Sequence, residues 1–193
     1  MNDADDNPVQ SDELGIEREE LGFDCIRGML YHEDREQFYA RRSKWILFLV
    51  TVLGAGAFSK ASLSVGLQPE WSGLLVAILG AANLSFDWPE KARLHSKLKQ
   101  DTASMLADLS LATCDVAAVR ARIDRSSGEE PPTMHAVNAL AYINACQSRG
   151  KINTQMKIDR CQRFTGHWFA YSPSDFALDK ADRKAEANQT AKS

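Results

Sequence analysis

The sequence predicts an all-α protein in which a two-helix transmembrane hairpin is followed by a cytosolic helical bundle. Two nearly uncharged apolar runs, at about 45–67 and 71–88, follow one another in a chain that is otherwise rich in charge. Elsewhere apolar residues recur at spacings of three and four, which is typical of amphipathic helices, and no segment alternates as a β-strand does. We therefore expect four segments: an acidic, partly disordered N-terminal arm over 1–30, a basic lead-in helix with both spans over 31–88, a cytosolic helical domain over 89–172 and a polar tail over 173–193.

Charge changes sign along the 193 residues, although the net charge is only −3. Residues 1–30 carry nine acidic side chains and two arginines, whereas residues 89–170 carry twelve lysines and arginines and eight acids. Opposite charges on one side of a membrane attract each other. We hypothesise that the acidic arm competes with an anionic ligand for the basic domain; the alternative is that the arm is only a solubilising tail.

The two apolar runs have the flanking residues of membrane spans. The first run starts at Trp45 and contains one charged residue, Lys60, while Trp71 and Trp88 flank the second. Tryptophan is typical of membrane interfaces, and about 20 apolar residues cross a bilayer as a helix. Basic residues precede the first run and follow the second, so the positive-inside rule predicts both termini in the cytoplasm. The alternative left open is a soluble helical oligomer in which both runs are buried.

Small residues in the second run indicate close packing between helices, because lipid supplies no hydrophobic driving force between them. The same pattern occurs in soluble helical cores, so it supports the hairpin only together with the flanking residues. The expected packing residues are Gly73, Ala77, Gly80 and Ala81.

Three helices are expected in the basic domain. Asp87 can cap a long amphipathic helix that should end before Ser126, where a Ser-Ser-Gly sequence begins. Thr133 is the expected cap of a second helix that ends at Gly150. A third helix is expected over about 153–170.

Residues 87–95 (Asp-Trp-Pro-Glu-Lys-Ala-Arg-Leu-His), directly after the predicted hairpin, resemble the SLATT family. This name denotes two-transmembrane effector domains that are associated with SMODS nucleotidyltransferases and SLOG sensors. The Pro-Pro segment at 129–133 and the helical stretch 139–144 extend the resemblance over about 31–172. The resemblance implies an antiphage effector of the bacterial inner membrane, of the abortive-infection kind. Such a protein would form a homo-oligomeric pore that depolarises the membrane, gated by a nucleotide or short oligonucleotide signal from a partner nucleotidyltransferase.

A pore requires several chains, because one hairpin cannot surround an aqueous path, and we expect a tetramer. Its gate is expected to be apolar, and Lys60 either lines the pore or marks the outer end of the first span. The candidate pore-lining residues are Leu49, Val52, Leu53, Phe58 and Lys60.

The candidate ligand-binding residues are basic, because guanidinium and ammonium groups form charge-assisted hydrogen bonds with phosphates. Membrane anchoring and solvated helical faces are the alternative roles for the same charges. The candidates are Arg93, His95, Lys97, Arg120, Arg122, Arg160 and Arg163.

Catalytic, metal-binding and cofactor-binding patterns are not found in the sequence, so we do not expect an enzyme. The four cysteines are widely spaced and are expected to be reduced. Two other functions stay open. One is a membrane-anchored adaptor that binds another protein, and the other is a holin-like toxin that needs no ligand.

Overall fold

The computed structural model of this chain describes residues 8–55, 69–151 and 156–176. These residues form six α-helices and one 3₁₀ helix without any β-strand, which agrees with the all-helical part of the prediction. In chain order the elements are α1 (Pro8–Gly54), α2 (Pro69–Phe86), α3 (Trp88–Ser110), α4 (Val116–Glu129), α5 (His135–Ser148), α6 (Arg160–Thr165) and the 3₁₀ helix Pro173–Phe176.

The predicted transmembrane hairpin is wrong, and so is the predicted inner-membrane location. Among the helices described, none combines the length and the apolar character that crossing a membrane requires. The apolar part of α1 is confined to its last residues, 45–54, and α2 includes Pro69, Glu70 and Asn83 among its 18 residues. Residues 56–67 of the predicted first span lie outside the described residues.

The chain divides into two compact units. Unit 1 comprises Met1–Asp34 and Ser96–Ser193, and unit 2 comprises Arg35–His95. These divisions differ from the predicted ones at 30/31 and 88/89. At 30/31 no loop marks the end of the acidic arm, because α1 is one continuous helix from Pro8 to Gly54.

The main core of unit 1 is formed by α1, α3 and α4. Leu21 and Cys25, one turn apart on α1, are buried there. The acidic segment is therefore helical from Pro8 onward, with Leu21 and Cys25 in the core, while residues 1–7 lie outside the described residues. The other buried members of this core are Met105, Leu109, Val116 and Val119.

The long helix expected after Asp87 is interrupted. α3 ends at Ser110 and α4 begins at Val116, because the Asp115 side chain accepts a hydrogen bond from the Ala118 backbone N–H at 3.1 Å. A capping aspartate starts a new helix and so competes with continuation of the previous one. The Ser-Ser-Gly sequence, expected to be a break, is instead the last turn of α4.

Helix α5 has two buried faces. Val137 and Ala141 pack with Tyr31 of α1, while Ala136 and Ala139 pack with Phe176 of the 3₁₀ helix. The expected second helix over 133–150 corresponds to α5, although Met134 and not Thr133 is its N-cap residue. Of the expected third helix, residues 153–155 lie outside the described residues and only α6 is helical in the rest.

Unit 2 contains the second half of α1, all of α2 and the first residues of α3. Asp87, between α2 and α3, has a left-handed φ of 49°, a conformation that aspartate tolerates better than most residues. The rings of Phe86 and Trp88 on either side of it stack at 5.3 Å. His95, almost fully buried, stacks on Tyr39 of α1 with ring centroids 5.7 Å apart.

Candidate functional site

Unit 1 contains a polar cavity of about 220 Å³. Its walls come from α1, α3, α4 and the segment that leads into α5, so residues far apart in sequence meet there. Met105 and Ile123 supply apolar surface, and hydroxyl, amide and charged groups supply the rest. The polar side chains that matter most below are Asp24, Arg27, His32, Ser126, Glu130 and Asn138.

Helix α1 forms one wall because Asp24, Gly28 and His32 follow one another at four-residue intervals and therefore share a face. Arg27 lies on the same side and pairs with Asp24 at 3.3 Å. A methyl group added at Gly28 would meet Thr102 at 3.4 Å, so glycine lets α1 and α3 approach closely at the cavity wall.

Two contacts tie α1 to the segment between α4 and α5. His32 Nε2 lies 3.4 Å from Glu130 Oε1, and the Met134 backbone N–H donates to the Tyr31 hydroxyl at 3.1 Å. Between these two contacts stand Pro131 and Pro132, which lack N–H groups and cannot form helical hydrogen bonds. The segment is thus held at both of its ends by neighbouring side chains of one helix.

Cys25 lies at the base of the α1 wall, where it is 2% exposed. Burial, with a smaller contribution from the charge of Asp24, raises the pKa of this thiol to about 11. The thiol is therefore neutral at physiological pH, so it contributes apolar surface and not a nucleophile.

The predicted ligand-binding residues of unit 1 are dispersed. Arg120 pairs with Glu17 at 2.9 Å, Lys97 pairs with Glu129 at 3.2 Å, and Arg122 bonds Asp108 and Ser104. Arg160 and Arg163 are exposed on α6. The two candidates of unit 2 differ from each other, since Arg93 is exposed and His95 is buried. No described contact joins these seven side chains into one site, and their role in binding stays a prediction.

The acidic start of α1 does contact basic residues of the same unit. Besides the Glu17 to Arg120 pair, Glu19 Oε1 lies 2.6 Å from Lys151 Nζ. The hydrogen bond from Lys151, together with its charge, holds the pKa of Glu19 below its usual value. The hypothesis that this acidic segment competes with an anionic ligand stays a hypothesis, but two of its basic partners are now identified.

Unit 2 exposes two apolar stripes with the same spacing. On α1 the stripe has positions i, i+3, i+4 and i+7, and α2 repeats that pattern. This spacing is the one by which a helix packs against another helix. The first stripe consists of Trp45, Phe48, Leu49 and Val52, and the second of Trp71, Leu74, Leu75 and Ile78.

The predicted packing and pore residues belong to this exposed surface or lie outside the described part of the chain. Methyl groups added at Gly73 or Gly80 would meet no atom within 4 Å, and Ala77 and Ala81 are exposed. The predicted small-residue face therefore packs against nothing in the part of the chain that the structure describes. Leu49 and Val52 are exposed, Leu53 is half-buried, and Phe58 and Lys60 lie outside the described residues. Their assignment to a pore depended on the hairpin that the structure contradicts.

Sequence reasoning missed the cavity. The sequence does indicate its α1 wall, because Asp24, Gly28 and His32 repeat at four-residue intervals. The facing groups on α3, α4 and α5 are identified only by the fold. Over the described residues no group of three or more His, Cys, Asp or Glu side chains could hold a metal ion.

Comparison of the chain with protein-family models, with curated proteins and with solved structures finds no match in any of the three. The resemblance to the SLATT family, which depends on residues 87–95 and on the order of the helices, therefore stays a prediction.

Proposed function

We propose that this chain is a non-enzymatic effector that acts by associating with further copies of itself through unit 2. The observation that carries this proposal is the pair of exposed stripes on α1 and α2. The resemblance to signal-controlled homo-oligomeric effectors of antiphage systems supports it. The predicted membrane pore is not part of the proposal.

Exposure of the stripe residues is large for side chains of their type. Trp45 is 63% exposed and Ile78 is 55% exposed, and the other six stripe residues are 38–56% exposed. Isolated apolar side chains are common on protein surfaces, but a patch of several large ones marks an interaction site. Eight such residues lie on two helices of one unit, four in each stripe.

A second copy of the chain is the partner that the pattern favours. In a two-fold interface the same patch is used on both subunits, so a stripe must be complementary to its own counterpart. Leu, Ile and aromatic residues at i, i+3, i+4 and i+7 meet this condition, since they interdigitate with an identical stripe. Two copies bring four such helices together, which is the number in a common helical bundle.

The exposed small residues are on a different face of α2. Gly73 and Ala77, one turn apart, are exposed, and the space beside Gly73 is open. Because successive helical residues are about 100° apart, these two lie on the side of α2 away from the stripe. The predicted packing residues are therefore not part of the proposed interface.

Sedimentation velocity of the full chain tests the proposal. Ile78→Glu places a carboxylate in the α2 stripe, and burying that charge should lower the association constant at least about tenfold. Leu84→Glu is the matched control, since Leu84 is 82% exposed on the same helix but lies about 120° away from Ile78 around the helix axis. The control should change association by less than about threefold.

On α1 the matched pair is Leu49→Glu and Leu47→Glu. Leu49 belongs to the stripe, whereas Leu47 is exposed on another face of the same helix. Equal effects of all four substitutions, or none at all, would contradict self-association through the stripes.

An adaptor that binds a different protein is the second candidate. It is favoured by the aromatic residues around α6, where Phe164 is 80% exposed and Phe169 and Trp168 are exposed beside Arg160 and Arg163. Exposed aromatic and arginine side chains are enriched where proteins bind one another. A chain that stays monomeric at all concentrations would favour this second function.

A further inference from the structure

We propose that the cavity of unit 1 binds an uncharged nucleoside, that is, a nucleobase carrying a ribose but no phosphate. This inference goes beyond the proposed self-association and does not depend on it. It follows from the size, the charge and the division into polar and apolar walls of the cavity.

Size limits the ligand first. The cavity holds about 220 Å³, whereas pockets for drug-sized ligands hold about 300–1,000 Å³. A dinucleotide or a longer oligonucleotide is therefore too large to be enclosed here. A single nucleoside, or a molecule of similar size, matches this volume.

Charge disfavours a phosphate in this cavity. Two carboxylates line it: Asp24 pairs with Arg27 at 3.3 Å, and Glu130 lies 3.4 Å from the His32 ring nitrogen. An incoming phosphate would have to share Arg27 with Asp24 and would be repelled by both carboxylates. A ligand without charge escapes this repulsion.

The polar groups fit a ribose and the edge of a base. Carboxylate oxygens accept more than one hydrogen bond each, so Glu130 can accept from ribose hydroxyls while it faces His32. Asn138 offers both a donor and an acceptor, and Ser126 offers a hydroxyl. Such mixed groups recognise the donors and acceptors along the edge of a nucleobase.

The apolar wall fits the face of a ring. Met105 of α3 and Ile123 of α4 line the cavity together with Cys25, whose thiol is neutral. A planar base can lie against these side chains, and methionine sulfur makes favourable contacts with aromatic rings. A sugar without a base would leave this wall uncovered, so both halves of a nucleoside are needed to use the whole cavity.

Isothermal titration calorimetry of the full chain with adenosine, guanosine, cytidine and uridine tests the inference, with the matching 5′-monophosphates and free ribose as comparison ligands. We expect at least one nucleoside to bind at least about tenfold more tightly than its monophosphate and than ribose. Failure of all four nucleosides to bind would refute the inference. So would a monophosphate that binds as tightly as its nucleoside, because that result would identify an anion site.

Two matched asparagine variants locate the binding. Asn138→Leu removes an amide from the cavity, whereas Asn144→Leu makes the same change on the same helix outside the cavity lining. Nucleoside affinity should fall at least about tenfold in the first and stay within about threefold in the second. Unchanged affinity in both, or equal loss in both folded variants, would refute binding in this cavity.

Glu130→Gln tests the charge argument without a change of size. The variant should reduce the ratio of nucleoside affinity to monophosphate affinity, because one of the two repelling carboxylates is removed. Asp24→Asn serves as a second variant if the first does not fold. An unchanged affinity ratio in a folded variant would refute the claim that the carboxylates exclude a phosphate. These binding results are independent of sedimentation: a monomer that binds a nucleoside refutes only the proposed function, and an oligomer that binds none refutes only this inference.

Discussion

His32 Nε2 lies 3.4 Å from Glu130 Oε1, and this contact joins helix α1 to the C-cap residue of α4. The His32 side chain is 1% exposed, so its polar atoms depend on protein partners and not on water. The same pair borders the cavity of unit 1. The contact therefore contributes to the stability of unit 1 and helps to position one wall of the candidate site.

His32→Leu should destabilise the chain by about 1–3 kcal/mol, because it keeps the volume of the side chain but leaves hydrogen-bonding groups around it without their partner. Urea unfolding, followed by circular dichroism, measures the change. His135→Leu, at the half-buried first residue of α5, is the control and should cost less. A larger loss in the control would contradict the structural role of His32.

Gly166→Ala should destabilise the chain by about 1–3 kcal/mol through overpacking. A methyl group at Gly166 would lie 2.5 Å from the Ala136 Cβ of α5 and 2.6 Å from the Gln162 carbonyl oxygen. Gly128→Ala is the control with the opposite sign: it meets no atom within 4 Å in the last turn of α4, where alanine should stabilise the helix by about 0.5 kcal/mol. Thermal unfolding of both variants measures the two effects, and equal signs would contradict the close packing at Gly166.

Acid titration should reveal the pair between Glu19 and Lys151. The hydrogen bond from Lys151 lowers the pKa of Glu19, so the folded state prefers the ionised carboxylate. Its stabilisation is present above the usual pKa of 4.5 and is lost as the pH falls through the lower folded value.

Lys151→Met should abolish that part of the acid dependence, which urea unfolding between pH 3 and 7 measures. The pair is on the surface, so salt should weaken it. An identical pH profile for the variant and the wild type would rule out this contribution.

Alkaline pH should destabilise the chain through Cys25. Burial raises the pKa of this thiol to about 11 from its usual 9.0. The stability that comes from keeping the thiol neutral is complete below pH 9 and is lost as the pH rises toward 11, because the unfolded chain ionises first. The loss should not exceed about 3 kcal/mol, the equivalent of two pKa units.

Cys25→Ala should reduce the fall of the free energy of unfolding with rising alkaline pH. Cys161→Ala, at an exposed cysteine, should leave that fall unchanged. Tyr142 contributes at higher pH, since burial raises its pKa to about 12 from 10.0. The slope between pH 9 and 10 therefore reports mainly on Cys25. If Cys25→Ala kept the full slope there, burial of the thiol would not be its cause.

The helices could be predicted from the sequence because their signals are local. The apolar spacing that includes Met105, Leu109 and Val119 indicated amphipathic helices, and these residues are in the core. The break before Val116 was not predicted, because no Gly or Pro marks it and only the bond from the Ala118 N–H to Asp115 reveals it.

Tertiary partners could not be predicted in the same way. Arg120 was assigned to an anionic ligand, yet its partner is Glu17, which is distant in sequence. The uncharged run 71–86 predicts a membrane span, but hydropathy alone does not distinguish a span from a helix with an exposed apolar stripe, such as that of Leu74 and Ile78. The sequence does not predict the cavity, because its walls come from four separate helices or their flanking residues.

Sedimentation equilibrium of the full chain over a wide range of concentrations tests the central claim most directly. Self-association through the two stripes of unit 2 predicts that the mass rises from the 21.4 kDa of one chain to a constant whole-number multiple of it. A mass of 21.4 kDa at every concentration would contradict the claim. Growth without a limit would contradict it too, because a closed, symmetric interface stops at a defined number of copies.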